Sequence, residues 1–135
     1  MASERRARIL VVEDDAGTRD VLSEALRELD YEVLEACSVT TAGVARGFDV
    51  ALLDLHLPDG SGLNVLQRWR EAGIDAPVLI ITGDRAASMI DRALVSLDAW
   101  DYLPKPFDVD QLERVLADTL RRSRERGSIE RRLTG

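Results

Sequence analysis

Three short apolar runs and one short strand in this chain each lead to residues able to do chemistry. Ile9-Leu10-Val11-Val12 runs into Glu13-Asp14-Asp15, and Val50-Ala51-Leu52-Leu53 into Asp54. Val78-Leu79-Ile80-Ile81 stops at Thr82, and Trp100 to Leu103 leads to Lys105, set between Pro104 and Pro106. Carboxylates gathered from different run ends repel one another, at a cost that grows where water is excluded. A divalent cation relieves that repulsion, and an oxygen-only donor set suits Mg²⁺ or Mn²⁺ better than Zn²⁺. With one His (His56) and one Cys (Cys37), zinc ligation or a Cys–His nucleophile pair is weakly supported. No GxxxxGK[ST] phosphate loop occurs, so nucleotide hydrolysis has no motif behind it.

The elements that must position these groups are legible from periodicity. The first run reads as a buried strand, and Leu22, Ala25, Leu26 and Leu29 predict an amphipathic helix over 16–29. Tyr31 to Glu35 alternates weakly, as an edge strand does. Ser38 is a plausible N-cap for a short helix reaching Arg46. Asp49 to Asp54 is a second central strand, and Pro58, Gly60 and Gly62 make a turn before a helix from Leu63 to Arg70. Pro77 opens the strand Val78 to Ile81. Ala86, Ile90, Ala93, Leu94 and Leu97 mark the inner face of a fourth helix, and Trp100 to Leu103 is the last strand. Asp108 and Gln111 resemble a capping box, after which Val109, Leu112, Leu116 and Leu120 form the inner face of the last helix. Five βα units with apolar central strands predict an α/β fold, a parallel sheet with helices on both faces. Ligands then gather at the carboxyl ends of the strands.

Composition narrows the class. The chain has 135 residues and a net charge of −7, suiting one domain. Residues 1–111 hold 11 basic and 21 acidic groups, whereas 112–135 hold 7 and 4. An acidic body argues against nucleic-acid binding, and Arg121, Arg122 and Arg124 are read as favouring a helix C-terminus or solvating a linker. No apolar run approaches the roughly 18 residues of a membrane span. The charged residues Met1 to Arg8 contain no signal-peptide core, and a lone cysteine, read as small and buried, fits a cytoplasmic location. Trp69 reads as a helix-face contact and Trp100 as a strand-surface residue. Of 18 basic residues, only Lys105 is Lys.

Taken in order, Ile9 to Asp15, Ala51-Leu52-Leu53-Asp54-Leu55-His56-Leu57-Pro58-Asp59-Gly60, Ile81-Thr82-Gly83 and Asp101-Tyr102-Leu103-Pro104-Lys105-Pro106-Phe107 resemble the receiver domain of two-component response regulators. The likeness covers residues 6–121, leaving 122–135 as a helix extension or linker. The Asp-Tyr-Leu-Pro-Lys-Pro-Phe-Asp run is similar to receivers of the nitrogen-regulation type of transcription activator. The resemblance implies a flavodoxin-like, doubly wound five-stranded parallel sheet in the order 2-1-3-4-5. It further implies that Asp54 accepts a phosphoryl group from a histidine kinase or phosphotransfer protein. Glu13, Asp14, Asp54 and the backbone carbonyl of His56 would hold Mg²⁺ or Mn²⁺. Lys105 and Thr82 would meet phosphoryl oxygens, and Tyr102 would follow Thr82 as an aromatic switch. The side chain of His56 and Asp84 border the rim, where they are candidates to tune phosphoryl lifetime.

Phosphorylation would then shift the face of the fourth helix, fifth strand and fifth helix toward an output domain or effector, or toward a homodimer. Two alternatives use the same residues. A phosphohydrolase of the haloacid dehalogenase type has similar Asp, Thr and Lys roles, but its second Asp is missing where this chain has His56. A phosphorylation-independent interaction domain would not need the full residue set. The chain departs from the receiver pattern at Asp98-Ala99, where Gly-Ala is usual, and this predicts a stiffened or reshaped turn after the fourth helix.

Overall fold

Runs of Val, Ile and Leu without polar alternation need cover on both faces, and the chain provides it. The structure is a computed structural model and describes residues 6–83 and 87–134. Asp84 and Ala86 therefore lie outside the described residues. The elements are β1 (Arg8–Val12), α1 (Ala16–Glu28), β2 (Glu32–Ala36), α2 (Val39–Gly43), β3 (Val50–Leu53), β4 (His56–Leu57), β5 (Gly60–Ser61), α3 (Gly62–Glu71), β6 (Val78–Thr82), α4 (Ala87–Asp91), a π-helical turn (Arg92–Ser96), β7 (Asp101–Pro104) and α5 (Val109–Thr134). Five strands form one sheet in the order β2-β1-β3-β6-β7, every pair parallel. By position in that sheet this is the expected 2-1-3-4-5 order. Ile9, Val11, Leu52 and Ile81 face one core with Leu22 and Leu26 of α1 and Leu112 and Leu116 of α5. Leu10, Val12, Leu53 and Ile80 face the other with Leu66 and Trp69 of α3 and Ala93. Each fully buried Leu or Ile contributes roughly 1.5–3 kcal/mol, so these two layers hold the sheet rim in place.

Caps fix where the helices begin. The Asp15 carboxylate accepts from the Thr18 N–H at 2.8 Å, and Asp108 and Gln111 form the reciprocal box at the start of α5. Ser38 caps α2, but that helix stops at Gly43 rather than Arg46. Its last carbonyls are already taken: Trp69 Nε1 donates to Ala42 O at 3.0 Å and Arg46 Nη1 to Gly43 O at 2.8 Å. Trp69 is fully buried, its ring 4.9 Å from that of Phe48.

Other expectations need correction. Cys37 is exposed, because β2 ends at Ala36 and Cys37 begins the loop into α2. Val109 is 46% exposed, since the first helical position of α5 precedes the stripe that starts at Leu112. Arg121, Arg122 and Arg124 do not sit at a helix end, for α5 runs unbroken to Thr134. Arg121 pairs with Asp118 and Glu125, while the Arg122 and Arg126 guanidinium carbons lie 5.2 and 5.9 Å from the Trp100 ring centre. Trp100 thus supports α5 rather than a bare strand surface.

The turn after α4 is unusual. The helix widens into a π turn, closed by the Leu97 N–H on Arg92 O at 3.1 Å, and Asp98 then adopts φ +58°. This is the left-handed conformation that Gly adopts freely at helix ends. Asp98 therefore keeps the backbone course that Gly would supply. Arg70 of α3 secures it, donating to the carbonyls of Leu97 (3.0 Å), Asp98 (3.1 Å), Ile74 (2.8 Å) and Ala76 (3.0 Å).

Candidate functional site

The carboxyl ends of β1, β3 and β6 and the segment after β7 open onto one cavity of about 550 Å³. Glu13, Asp14, Asp15, Asp54, His56, Thr82, Gly83 and Lys105 line it. β1 and β3 pair in parallel, so their ends place Glu13 and Asp54 side by side; Asp54 N–H also bonds Val12 O at 3.1 Å. Carboxylate oxygens of Glu13, Asp14 and Asp54 lie within 4.8 Å of one another, close enough to share a metal ion. Glu13 and Asp54 are buried and Asp14 is exposed, so the cluster has one side open to water. All three donors are hard oxygens, the set a Mg²⁺- or Mn²⁺-class ion takes.

Lys105 reaches this cluster because β7 pairs with β6 and the Lys105 N–H bonds Thr82 O at 3.1 Å. Its Nζ donates to Asp54 Oδ2 at 2.7 Å and to Glu13 Oε1. Burial alone would lower the lysine pKa, but the hydrogen bonds and charges of Asp54 and Glu13 outweigh it and hold the ammonium above 10.5. Burial pushes the Glu13 carboxyl above 4.5; Lys105 and the Asp15 N–H oppose the rise, and the Asp54 charge adds to it. The second Asp54 oxygen accepts from the His56 N–H at 3.0 Å.

His56 is exposed at the rim, and Thr82 is fully buried at the cavity wall. Tyr102 is not part of the lining. It is half-buried and packs, as Met89, Ile90 and Leu94 do, against the core layer that holds Leu66 and Trp69. Asp84, read from sequence as a rim residue, lies outside the described residues.

Two further residues shape the rim. Gly62 reads from sequence only as a turn residue, yet a Cβ there would stand 2.4 Å from Asp54 O. The first turn of α3 presses directly onto the backbone of Asp54. Arg19 of α1 donates from Nη1 to Glu13 O at 2.8 Å and to Asp14 O at 3.4 Å. Its signal in sequence is a lone Arg one turn into the helix that follows an acidic loop.

A doubly wound parallel sheet with clustered acids, Thr and Lys at its carboxyl rim is the architecture of a receiver-type signalling domain. The family profile described as "Response regulator receiver domain" matches residues 9–117, and the chain belongs to that family. It is a signalling switch of two-component phosphorelays, and the phosphohydrolase alternative is not favoured. Over 125 residues it is 34% identical to the DNA-binding transcriptional regulator NtrC of Rhizobium meliloti, covering 90% of this chain and 26% of that protein. It is 40% identical over 113 residues to the swarming motility regulation protein RssB of Serratia marcescens, covering 77% of this chain and 48% of that one. The chain thus spans half or less of these curated relatives. The non-phosphorylated HemR receiver domain from Leptospira biflexa superposes with a TM-score of 0.79 at 33% identity, covering 85% of this chain and 94% of that one. No helix among the described residues is long and apolar enough to cross a membrane.

Proposed function

We propose that Asp54 is the phosphoacceptor, taking a phosphoryl group from the phosphohistidine of a sensor kinase or phosphotransfer protein. The observation that carries this reading is the reach of Lys105 Nζ to Asp54 Oδ2 at 2.7 Å, beside the carboxylates of Glu13 and Asp14. Glu13, Asp14, Asp54 and the His56 carbonyl would hold Mg²⁺ (or Mn²⁺). Bound there, the cation would neutralise charge on the transferring oxygens. The Asp54 carboxylate attacks phosphorus, the histidine nitrogen departs with its electron pair, and an acyl phosphate remains on Asp54. Lys105 then moves its hydrogen bond from the carboxylate to a phosphoryl oxygen, as a flexible point charge can. The Thr82 hydroxyl binds another oxygen, and Tyr102 follows into the space that Thr82 vacates.

A phosphoryl group adds about −1.5 to −2 units of charge. These new bonds favour one arrangement of α4, β7 and α5, and that face engages an output domain or effector or a second copy of the chain. Full switching, from 1:99 to 99:1, needs about 5.5 kcal/mol of differential interaction. Residues 6–121 are the receiver unit, and 122–135 carry its signal onward in a cytoplasmic regulator. The relation to NtrC supports a transcriptional output. His56 and Asp84 tune the lifetime of the phosphoryl group through water access.

Intact-mass measurement with acetyl phosphate tests the core of this reading. A single phosphoryl adduct is expected with Mg²⁺, absent without it and absent in Asp54→Asn. No adduct with several small acyl phosphates overturns it, as does turnover of an external phosphate ester.

A further inference from the structure

The geometry points to Arg19 as a positioning residue for the acidic loop, one that sets where Asp14 stands when the site takes its cation; this rests on the metal site proposed above. In the Glu13-Asp14-Asp15 loop the side-chain restraints fall on the two flanking residues. Glu13 is held on three sides: its N–H bonds Ala36 O at 3.0 Å, and its carboxylate meets Lys105 and accepts from the Asp15 N–H at 3.2 Å. Asp15 is held through its carboxylate, which caps α1 at Thr18. Asp14 has neither support. Its side chain is exposed, and no hydrogen bond to its carboxylate occurs among the described residues. The position of that carboxylate follows from the backbone around it, and the Arg19 side chain grips that backbone at the carbonyls on either side of the Asp14 N–H and Cα. One guanidinium nitrogen takes the carbonyls of both Glu13 and Asp14. The guanidinium is itself carried on α1, whose core side chains Leu22 and Leu26 are buried against the sheet. The loop is thereby referenced to the helix, and Asp14 is pre-placed before any ion arrives.

Pre-placement and charge act in opposite directions, which makes the inference testable. A positive group near the cluster repels a cation, so loss of its charge alone would tighten metal binding. Loss of the grip loosens it, because the ion must then order the loop itself. Arg19→Lys keeps the charge but not the reach and direction of Nη1, and Arg19→Gln removes the charge. Mn²⁺ affinity of the full chain is read from the electron paramagnetic resonance signal of free Mn²⁺. The expected result is weaker binding in both variants, by about tenfold, as for loss of other groups that orient metal ligands. In the metal-free protein, the Asp14 and Asp15 amides should lose order in ¹⁵N relaxation while those of β3 and β6 do not. Tighter binding in Arg19→Gln with unchanged binding in Arg19→Lys overturns the inference in favour of charge alone. Unchanged affinity and unchanged amide order overturn it as well. A wild-type chain that binds no Mn²⁺ overturns the metal-site reading and this inference together, whereas the other outcomes leave that reading standing.

Discussion

Lys105 Nζ stands 2.7 Å from Asp54 Oδ2 and bonds Glu13 with the same ammonium, so the chain's one lysine occupies the ground between two carboxylates that the proposed divalent ion would also need. The lysine offsets acidic repulsion in the metal-free protein and opposes the ion that would replace it. Lys105→Met should therefore tighten Mn²⁺ binding by about tenfold: two like charges a few Å apart cost a few kcal/mol at a protein surface, and water screens much of it. The same variant should lose phosphoryl uptake. Mn²⁺ titration and intact mass read the two effects separately, and weaker Mn²⁺ binding would contradict the account.

The acidic cluster also has a pH signature. Because burial raises the Glu13 carboxyl above 4.5, the native state holds that proton more tightly than the unfolded chain. Its contribution to stability is present at low pH and is lost as pH rises from 4.5 through the folded value. Asp15 has the opposite sign: the Thr18 hydroxyl and N–H hold it below 3.8, giving stability above that range which is lost on acidification. Asp59 behaves likewise, chiefly through the N–H of Val39. Urea unfolding of the metal-free protein should show wild type losing stability relative to Glu13→Gln as pH rises from about 4.5 toward neutrality. Parallel pH profiles would exclude a raised Glu13.

Gly62→Ala should damage folding and phosphorylation together. The added Cβ meets backbone, Asp54 O at 2.4 Å and Leu55 Cα at 3.0 Å, which cannot rotate away. The expected loss is about 2 kcal/mol in urea unfolding, with a slower acetyl phosphate reaction at a temperature where the variant is still folded. An unaltered reaction rate would show that Asp54 tolerates the shift.

The turn at Asp98 makes a comparative prediction. Asp98→Ala should cost about 1 kcal/mol, because Ala enters the left-handed region at a steric penalty without a polar side chain to offset it. Asp98→Gly should stay within about 0.5 kcal/mol of wild type, since strain relief and the freer unfolded chain oppose each other. Arg70→Lys should lose about 2 kcal/mol: a single ammonium cannot serve the four carbonyls that the guanidinium spans. Thermal unfolding of the three variants side by side checks the order.

The sheet and the rim were legible in sequence for a local reason. The strands β1, β3 and β6 are carried by apolar runs, and Glu13, Asp14, Asp54 and Thr82 stand at or just past the ends of those runs, so parallel pairing alone gathers them. What escaped depends on partners distant in sequence. The early end of α2 is met by Trp69, which bonds Ala42 O, and the π turn is joined to α3 through Arg70. Trp100 gains its role only when α5 brings Arg122 and Arg126 across it. The β4–β5 hairpin, two residues a side, is too short to show periodicity. Asp59 beside it bonds the N–H groups of Val39 and Thr40, so the loop after Asp54 is tied to α2. Arg19 carries no hydrophobic signal at all; its meaning lies in two carbonyls.

α5 contains 26 residues in one helix, about 39 Å long at 1.5 Å per residue. Leu112, Leu116 and Leu120 seat its first half on the sheet, and beyond them Arg122 and Arg126 lie over Trp100. A stem of this kind sets a compass bearing as well as a distance. Each residue inserted after Leu120 turns everything beyond it by about 100°, and seven restore the heading to within about 20°. A reporter fixed at Thr134 would therefore sweep around the receiver with single insertions and come nearly home after a heptad.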